Sequence, residues 1–88
     1  MTDPTAVIRD DFDRLAPLYG DGWSHNAHYH AYLLRHLPDP CRTALDIGCG
    51  IGTFARQLAL RADQVAGIDL SPAMLARARQ ESADVPNL

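Results

Sequence analysis

Apolar positions along this chain of 88 residues change their period twice, and the changes divide it into elements. Ile8, Phe12, Leu15 and Tyr19 recur at three- and four-residue intervals, the spacing of one helical face. Asp3-Pro4 supplies that helix with a cap and a first-turn proline, and Pro17 with the run Gly20-Asp21-Gly22 breaks it. A second helical stretch runs from about Asn26 to Leu37, with Tyr29, Tyr32, Leu33 and Leu37 on one side, until Pro38-Asp39-Pro40 turns the chain away. Two short apolar runs follow, ALDI ending at Ile47 and VAGI ending at Ile68. Unbroken apolar runs of this length suit parallel strands covered on both faces. Between them a helix from about Thr53 to Ala62 turns Phe54, Leu58 and Ala62 toward the sheet and leaves Arg56 and Arg61 in water. A last helix opens with Ser71 as cap and Pro72 at its first position and runs to about Ser82. The closing VPNL reads as the lead-in to a further strand.

Strand, helix, strand, helix in that order predicts an α/β fold. The junction after the first strand carries glycines at alternate positions, Gly48, Gly50 and Gly52. Glycine has no Cβ, so it takes φ > 0 and lets a ligand lie against the backbone. The second strand ends on Asp69, 19 positions after Gly50. An acid about 20 residues beyond such a loop is placed to accept hydrogen bonds from ribose hydroxyls. The dinucleotide fingerprint G-x-G-x-x-G, counted from Gly48, needs a glycine where this chain has Thr53. A nicotinamide-dependent oxidoreductase is therefore the weaker alternative.

The pattern Asp46-x-Gly48-x-Gly50-x-Gly52 resembles the first motif of class I S-adenosylmethionine-dependent methyltransferases. GIDLSPAML, from Gly67 to Leu75, resembles the next motif of the same family. The resemblance implies the opening half of a doubly wound Rossmann-like methyltransferase fold, with two parallel strands and about four helices. It divides the chain into a helical leader or cap over residues 1–40 and the N-terminal part of a cofactor-binding domain over 41–88. Because the family's sheet has seven strands, the chain is expected to be an N-terminal fragment that does not work alone. Carried over, Gly48, Gly50 and Gly52 form the loop under the methionine part of S-adenosyl-L-methionine. Asp46 faces the methionine ammonium and Asp69 holds the ribose hydroxyls. Leu70 and Met74 cover the adenine, with packing in the core as their competing role. Tyr19, Trp23 or a leader histidine reaches the methionine carboxylate or the acceptor. The implied activity is methyl transfer to an unidentified small-molecule acceptor, and a cofactor-binding module without turnover is the other alternative. No residue stands out as a catalytic base.

Composition narrows the partners. At 47% hydrophobic and 22% charged residues the chain is globular, and it contains no apolar run long enough for a membrane span or a signal peptide. The expected place is the cytoplasm. A net charge of −3 lacks the basic stripe that phosphate neutralisation requires, so no nucleic acid is expected. Cys41 and Cys49 fit no metal or redox spacing and read as free thiols. His25, His28, His30 and His36 lack a carboxylate to complete a ligand set, so no metal is expected.

Overall fold

The computed structural model describes residues 3–18 and 27–88. Helix α1 spans Pro4–Leu15, a 3-10 turn follows at Ala16–Leu18, and α2 spans Ala27–Arg35. Strand β1 (Cys41–Ile47) leads through the glycine loop to α3 (Thr53–Leu58), then β2 (Ala62–Ile68) and α4 (Pro72–Glu81). The two strands pair in parallel, with Ala44 opposite Val65, Asp46 opposite Gly67 and Ile47 opposite Ile68. This is the expected architecture of two parallel strands and four helices in a Rossmann-like order.

Local signals explain two of the helix starts, those of α1 and α4. Asp3 accepts the Thr5 N–H at 3.0 Å and Pro4 follows it. Ser71 Oγ accepts the Met74 N–H at 3.1 Å, with Pro72 next in the chain. Each cap satisfies a donor that the helix itself leaves unpaired.

Three boundaries or faces differ from the sequence expectation. Helix α3 stops at Leu58 rather than reaching Ala62, because Ala62 opens β2 opposite Cys41 and the pairing register claims it. Arg56 is not in water: its Nη1 donates to Ile51 O at 2.8 Å and to Ser82 Oγ at 3.2 Å. The inward face of α2 is also rotated. Leu34 and Leu37 pack on the core, whereas Tyr29 and Tyr32 are exposed and stack on each other, with His36 beside Tyr32.

The main core joins Cys41, Ala55, Leu58, Ala62 and Val65, so α3 lies against both strands. A second cluster, Ala16, Ile51 and Met74, joins the 3-10 turn, the loop and α4. Leu45, Ile47 and Ile68 are half or more exposed and share the other face of the sheet. At the outer edge of β2 the Val65 N–H donates to Asn87 O at 2.8 Å, a contact between the closing VPNL and the strand. Asn87 Nδ2 holds that segment by donating to Ala59 O and Ala62 O at 2.9 and 3.0 Å.

Candidate functional site

The chain leaves β1 through a reversal that only glycine makes without strain. Gly48, Gly50 and Gly52 have φ of +75°, +56° and +87°, all in the left-handed region, where a side chain crowds the following carbonyl. They differ in what surrounds them. A Cβ on Gly48 or Gly50 would meet nothing within 4 Å, whereas one on Gly52 would lie 3.0 Å from Arg56 Nη1 and 3.4 Å from Ala78. Gly48 and Gly50 therefore leave open space over the loop. Gly52 is buried and lets α4 come close to the start of α3.

The amides of this loop face inward. Gly48 N–H and Cys49 N–H both donate to Ile68 O, at 2.8 and 2.9 Å, and Gly52 N–H donates to Cys49 O at 3.0 Å. Gly50 N–H donates to Asp69 Oδ2 at 2.8 Å, and Ser71 N–H donates to Asp69 Oδ1 at 2.9 Å. Asp69 thus ties the glycine loop to the turn that starts α4. An ionised carboxylate has about four acceptor positions, so two N–H bonds leave Asp69 able to accept from a ligand.

Asp46 is half-buried, and loss of hydration pushes its carboxyl up from the ordinary value. The Asp69 charge pushes it the same way, while His30 opposes both. The Cys49 thiol is also raised, first by burial and then by the charges of Asp69 and Asp46. That makes it a poor nucleophile. Its role is packing: a Cβ on Gly67 would lie 3.0 Å from Cys49 Sγ, so a bare β2 position makes room for the thiol.

Two residues outside the motifs complete the surroundings. The His30 ring on α2 lies over Phe54 at 4.5 Å between centroids, and its Nδ1 is buried with no hydrogen-bond partner. An unmade bond of this kind costs about 1–3 kcal/mol. On the other side, Asp13 of α1 accepts from Ser71 Oγ and from the Ala73 N–H, the latter at 3.1 Å. Those bonds, the Ser71 hydroxyl first, hold the Asp13 carboxyl below the usual carboxylate range. Arg77 Nη1 donates to Ala16 O at 2.9 Å, a second tie between the leader and α4.

The expected site residues divide accordingly. Asp46 lies within electrostatic reach of Asp69, Asp69 is bonded to Gly50, open space lies beside Gly48 and Gly50, and Leu70 is half-exposed. Met74 is 2% exposed and packs in one cluster with Ala16 and Ile51. Tyr19, Trp23 and His25 lie outside the described residues. His28 and His36 are exposed, and among the described residues no three His, Cys, Asp or Glu are grouped to hold a metal. Both cysteines are free thiols. A cavity of about 380 Å³ is lined by Cys49 and Gly52 of the glycine loop with Val65, Gly67, Ala78 and Leu88 among others, and by neither Asp46 nor Asp69. Sequence reasoning weighed His30 only together with the other histidines and did not name Asp13. His30 was legible, since it stands one turn before Leu34 and two before Leu37 on a single face. Asp13 carried no signal, because its partners lie about 60 positions away in the chain.

A strand-loop-helix with left-handed glycines and an acid closing the next strand defines a Rossmann-like nucleoside-binding unit. Residues 44–88 match the family profile described as a methyltransferase domain, and the chain belongs to that family. A relative named an uncharacterized methyltransferase, from Mycobacterium bovis, is 38% identical over 64 residues, which are 73% of this chain and 32% of that protein. This chain thus spans about a third of the curated relatives it matches. Among solved structures, magnesium protoporphyrin IX methyltransferase from Synechocystis PCC 6803, with bound S-adenosylmethionine, aligns at a TM-score of 0.71 and 27% identity over 97% of this chain and 50% of that one. Phosphoethanolamine N-methyltransferase 1 of Haemonchus contortus, in complex with phosphoethanolamine and S-adenosylhomocysteine, aligns at 0.64 and 28% identity over 99% of this chain and 21% of that one. No helix among the described residues is long and apolar enough to cross a membrane.

Proposed function

We propose that these residues form the cofactor-binding part of an S-adenosylmethionine-dependent methyltransferase acting on a small-molecule acceptor. One observation carries the choice of ligand: the space over Gly48 and Gly50 has two acids beside it, and the amides of Gly48, Cys49, Gly50 and Gly52 are already bonded. A pyrophosphate needs free N–H groups and no neighbouring carboxylates. Here the Gly48, Cys49, Gly50 and Gly52 amides all have internal acceptors, and Asp46 and Asp69 stand beside them. That arrangement disfavours a dinucleotide and suits a ligand bearing a sulfonium and an ammonium.

The residues present fit that group. Gly48 and Gly50 give it room, Asp46 offers a carboxylate to its ammonium, and Asp69 has acceptor capacity for ribose hydroxyls. Leu70 offers half-exposed apolar surface to the adenine. When bound, S-adenosylmethionine supplies a methyl group already activated by the sulfonium. The chain's own contribution is therefore binding, alignment and exclusion of water, with Asp69 holding the loop in the binding shape. The structures of the Synechocystis and Haemonchus methyltransferases, whose named substrates are small molecules, support the same reading.

Calorimetric titration of the protein with S-adenosylmethionine and with NADH tests it. Heat of binding from the first and none from the second is expected; the reverse would end the proposal. In Asp69→Ala the ribose contacts and the Gly50 tether are lost together. A charge-assisted hydrogen bond contributes about 1.5–3 kcal/mol, so S-adenosylmethionine affinity should fall by about tenfold or more.

A further inference from the structure

The acids of α1 are not used alike. Asp10 lies beside Arg9 and Asp11 pairs with Arg14, both within the helix. Asp13 instead crosses to α4, where its Oδ1 accepts from the Ser71 hydroxyl and the Ala73 N–H. Ser71 already caps its own helix by accepting the Met74 N–H. Its hydroxyl proton and the Ala73 amide still need an acceptor, and α1 supplies it. Ser71 is fully buried, so these bonds are not exchanged with water at low cost. On its other side the Ser71 N–H donates to Asp69 Oδ1 at 2.9 Å, and Asp69 Oδ2 accepts the Gly50 N–H at 2.8 Å. One path of hydrogen bonds thus runs from α1 through the start of α4 to the glycine loop.

We infer that Asp13 is a positioning residue for Asp69: by holding the Ser71 hydroxyl it fixes the Ser71 amide, and that amide aims the Asp69 carboxylate. The inference rests on the reading that Asp69 meets the ribose of S-adenosylmethionine. Asp13 itself touches no ligand. Its distance from α4 is kept by two further contacts at the same junction, the packing of Ala16 with Ile51 and Met74 and the bond from Arg77 Nη1 to Ala16 O. Without the Asp13 acceptor the buried Ser71 hydroxyl and Ala73 amide must shift or admit water, and the Asp69 carboxylate loses a fixed orientation. Coupling of this kind is reciprocal, so a ligand that fixes Asp69 steadies α1 in return.

A double-mutant cycle with a rescue variant separates this role from a merely structural one. S-adenosylhomocysteine is titrated into the unaltered protein, Asp13→Ala, Asp13→Asn, Asp69→Ala and the Asp13→Ala/Asp69→Ala pair. Asp13→Ala should weaken binding by about fivefold or more. Added to Asp69→Ala, the same change should cost less than about twofold, because the group through which Asp13 acts is gone. Asp13→Asn keeps an oxygen for both bonds without the charge and should bind within about twofold of the unaltered protein. No loss in Asp13→Ala, a loss undiminished in the Asp69→Ala background, or an equal loss in Asp13→Asn would overturn the inference and leave the cofactor reading standing. Failure of the unaltered protein to bind S-adenosylhomocysteine would overturn both. If Asp13→Ala does not melt cooperatively, Asp13→Ser, whose shorter side chain stops short of Ser71, decides between the same outcomes.

Discussion

Of the buried apolar side chains among the described residues, Cys41, Ile51, Ala55, Leu58, Ala62, Val65 and Met74 lie in the strand-loop-helix half, and only Ala16 lies in the leader. Helices α1 and α2 contain no buried residue, and Ile8, Phe12 and Leu15, the apolar stripe of α1, are 42–50% exposed. The second half is held by packing and by backbone geometry that its glycines permit. The first half is attached by the packing of Ala16, Leu34 and Leu37 and by named polar bonds, Asp13 to Ser71 and Ala73, Arg77 to Ala16 O, and Arg61 to Leu34 O. Apolar burial is non-directional and tolerates neighbours of similar shape. A few directional bonds position a helix well but hold it weakly against water. The molecule thus sets a rigid floor beneath the opening and more easily released elements around it.

The glycines test the floor most severely. Gly52→Ala would place its methyl 3.0 Å from Arg56 Nη1 at φ +87°, so packing and backbone strain add. A loss of about 1–3 kcal/mol in chemical denaturation is expected. Gly50→Ala meets no neighbour and should lose less stability, yet its methyl enters the space assigned to the cofactor. Affinity for S-adenosylmethionine should drop by about tenfold or more. If Gly52→Ala weakened binding and spared stability while Gly50→Ala did the opposite, the division between packing glycine and ligand-facing glycine would be reversed.

A smaller effect separates the leader from the floor. The Asp13 carboxyl is held low by the Ser71 hydroxyl and then the Ala73 N–H, so the bound state favours its ionised form. The stability it contributes is present above the ordinary carboxylate value and is lost as pH falls through the depressed one. On acidification, amide exchange in α1 should therefore quicken before exchange in β1 and β2. Asp13→Ala should show the fast α1 exchange already at neutral pH, with the strands little changed. Equal acceleration in both halves would mean that the leader and the floor form one cooperative unit.

The smallest effect should be a gain. Asp46 is raised, first by burial, so the fold disfavours its charge. The penalty is absent below the unfolded value, grows as pH rises through the folded one and is complete at neutral pH. Asp46→Asn removes it. Because the side chain is only half-buried, solvent screening limits the gain to less than about 1 kcal/mol, visible as a slightly higher Tm at neutral pH and none in acid. Cofactor affinity should fall in the same variant. A lower Tm with unchanged affinity would make Asp46 a structural residue.

What the sequence by itself determined is the part that depends on single residues and their near neighbours. Asp3-Pro4 and Ser71-Pro72 begin helices because a capping oxygen and a fixed φ act within one turn. The glycines at 48, 50 and 52 announce a left-handed reversal because other residues are strained there. Asp69 was legible as the end of a strand at the right distance from that loop. Tertiary structure decided the rest. Pairing with Cys41 drew Ala62 out of α3 and into β2, and close packing against Ala16 and Ile51 took Met74 into the core. Arg56 was drawn from water to Ser82 by the approach of α4, and Asp69 acquired its bond to Gly50 because two strand ends lie side by side. Asp13 met Ser71, and His30 met Phe54, only once helices far apart in the chain were brought together. Periodicity reports which face of an element is apolar; which neighbour that face will meet, and which polar group will then be left without a partner, is settled by packing in three dimensions.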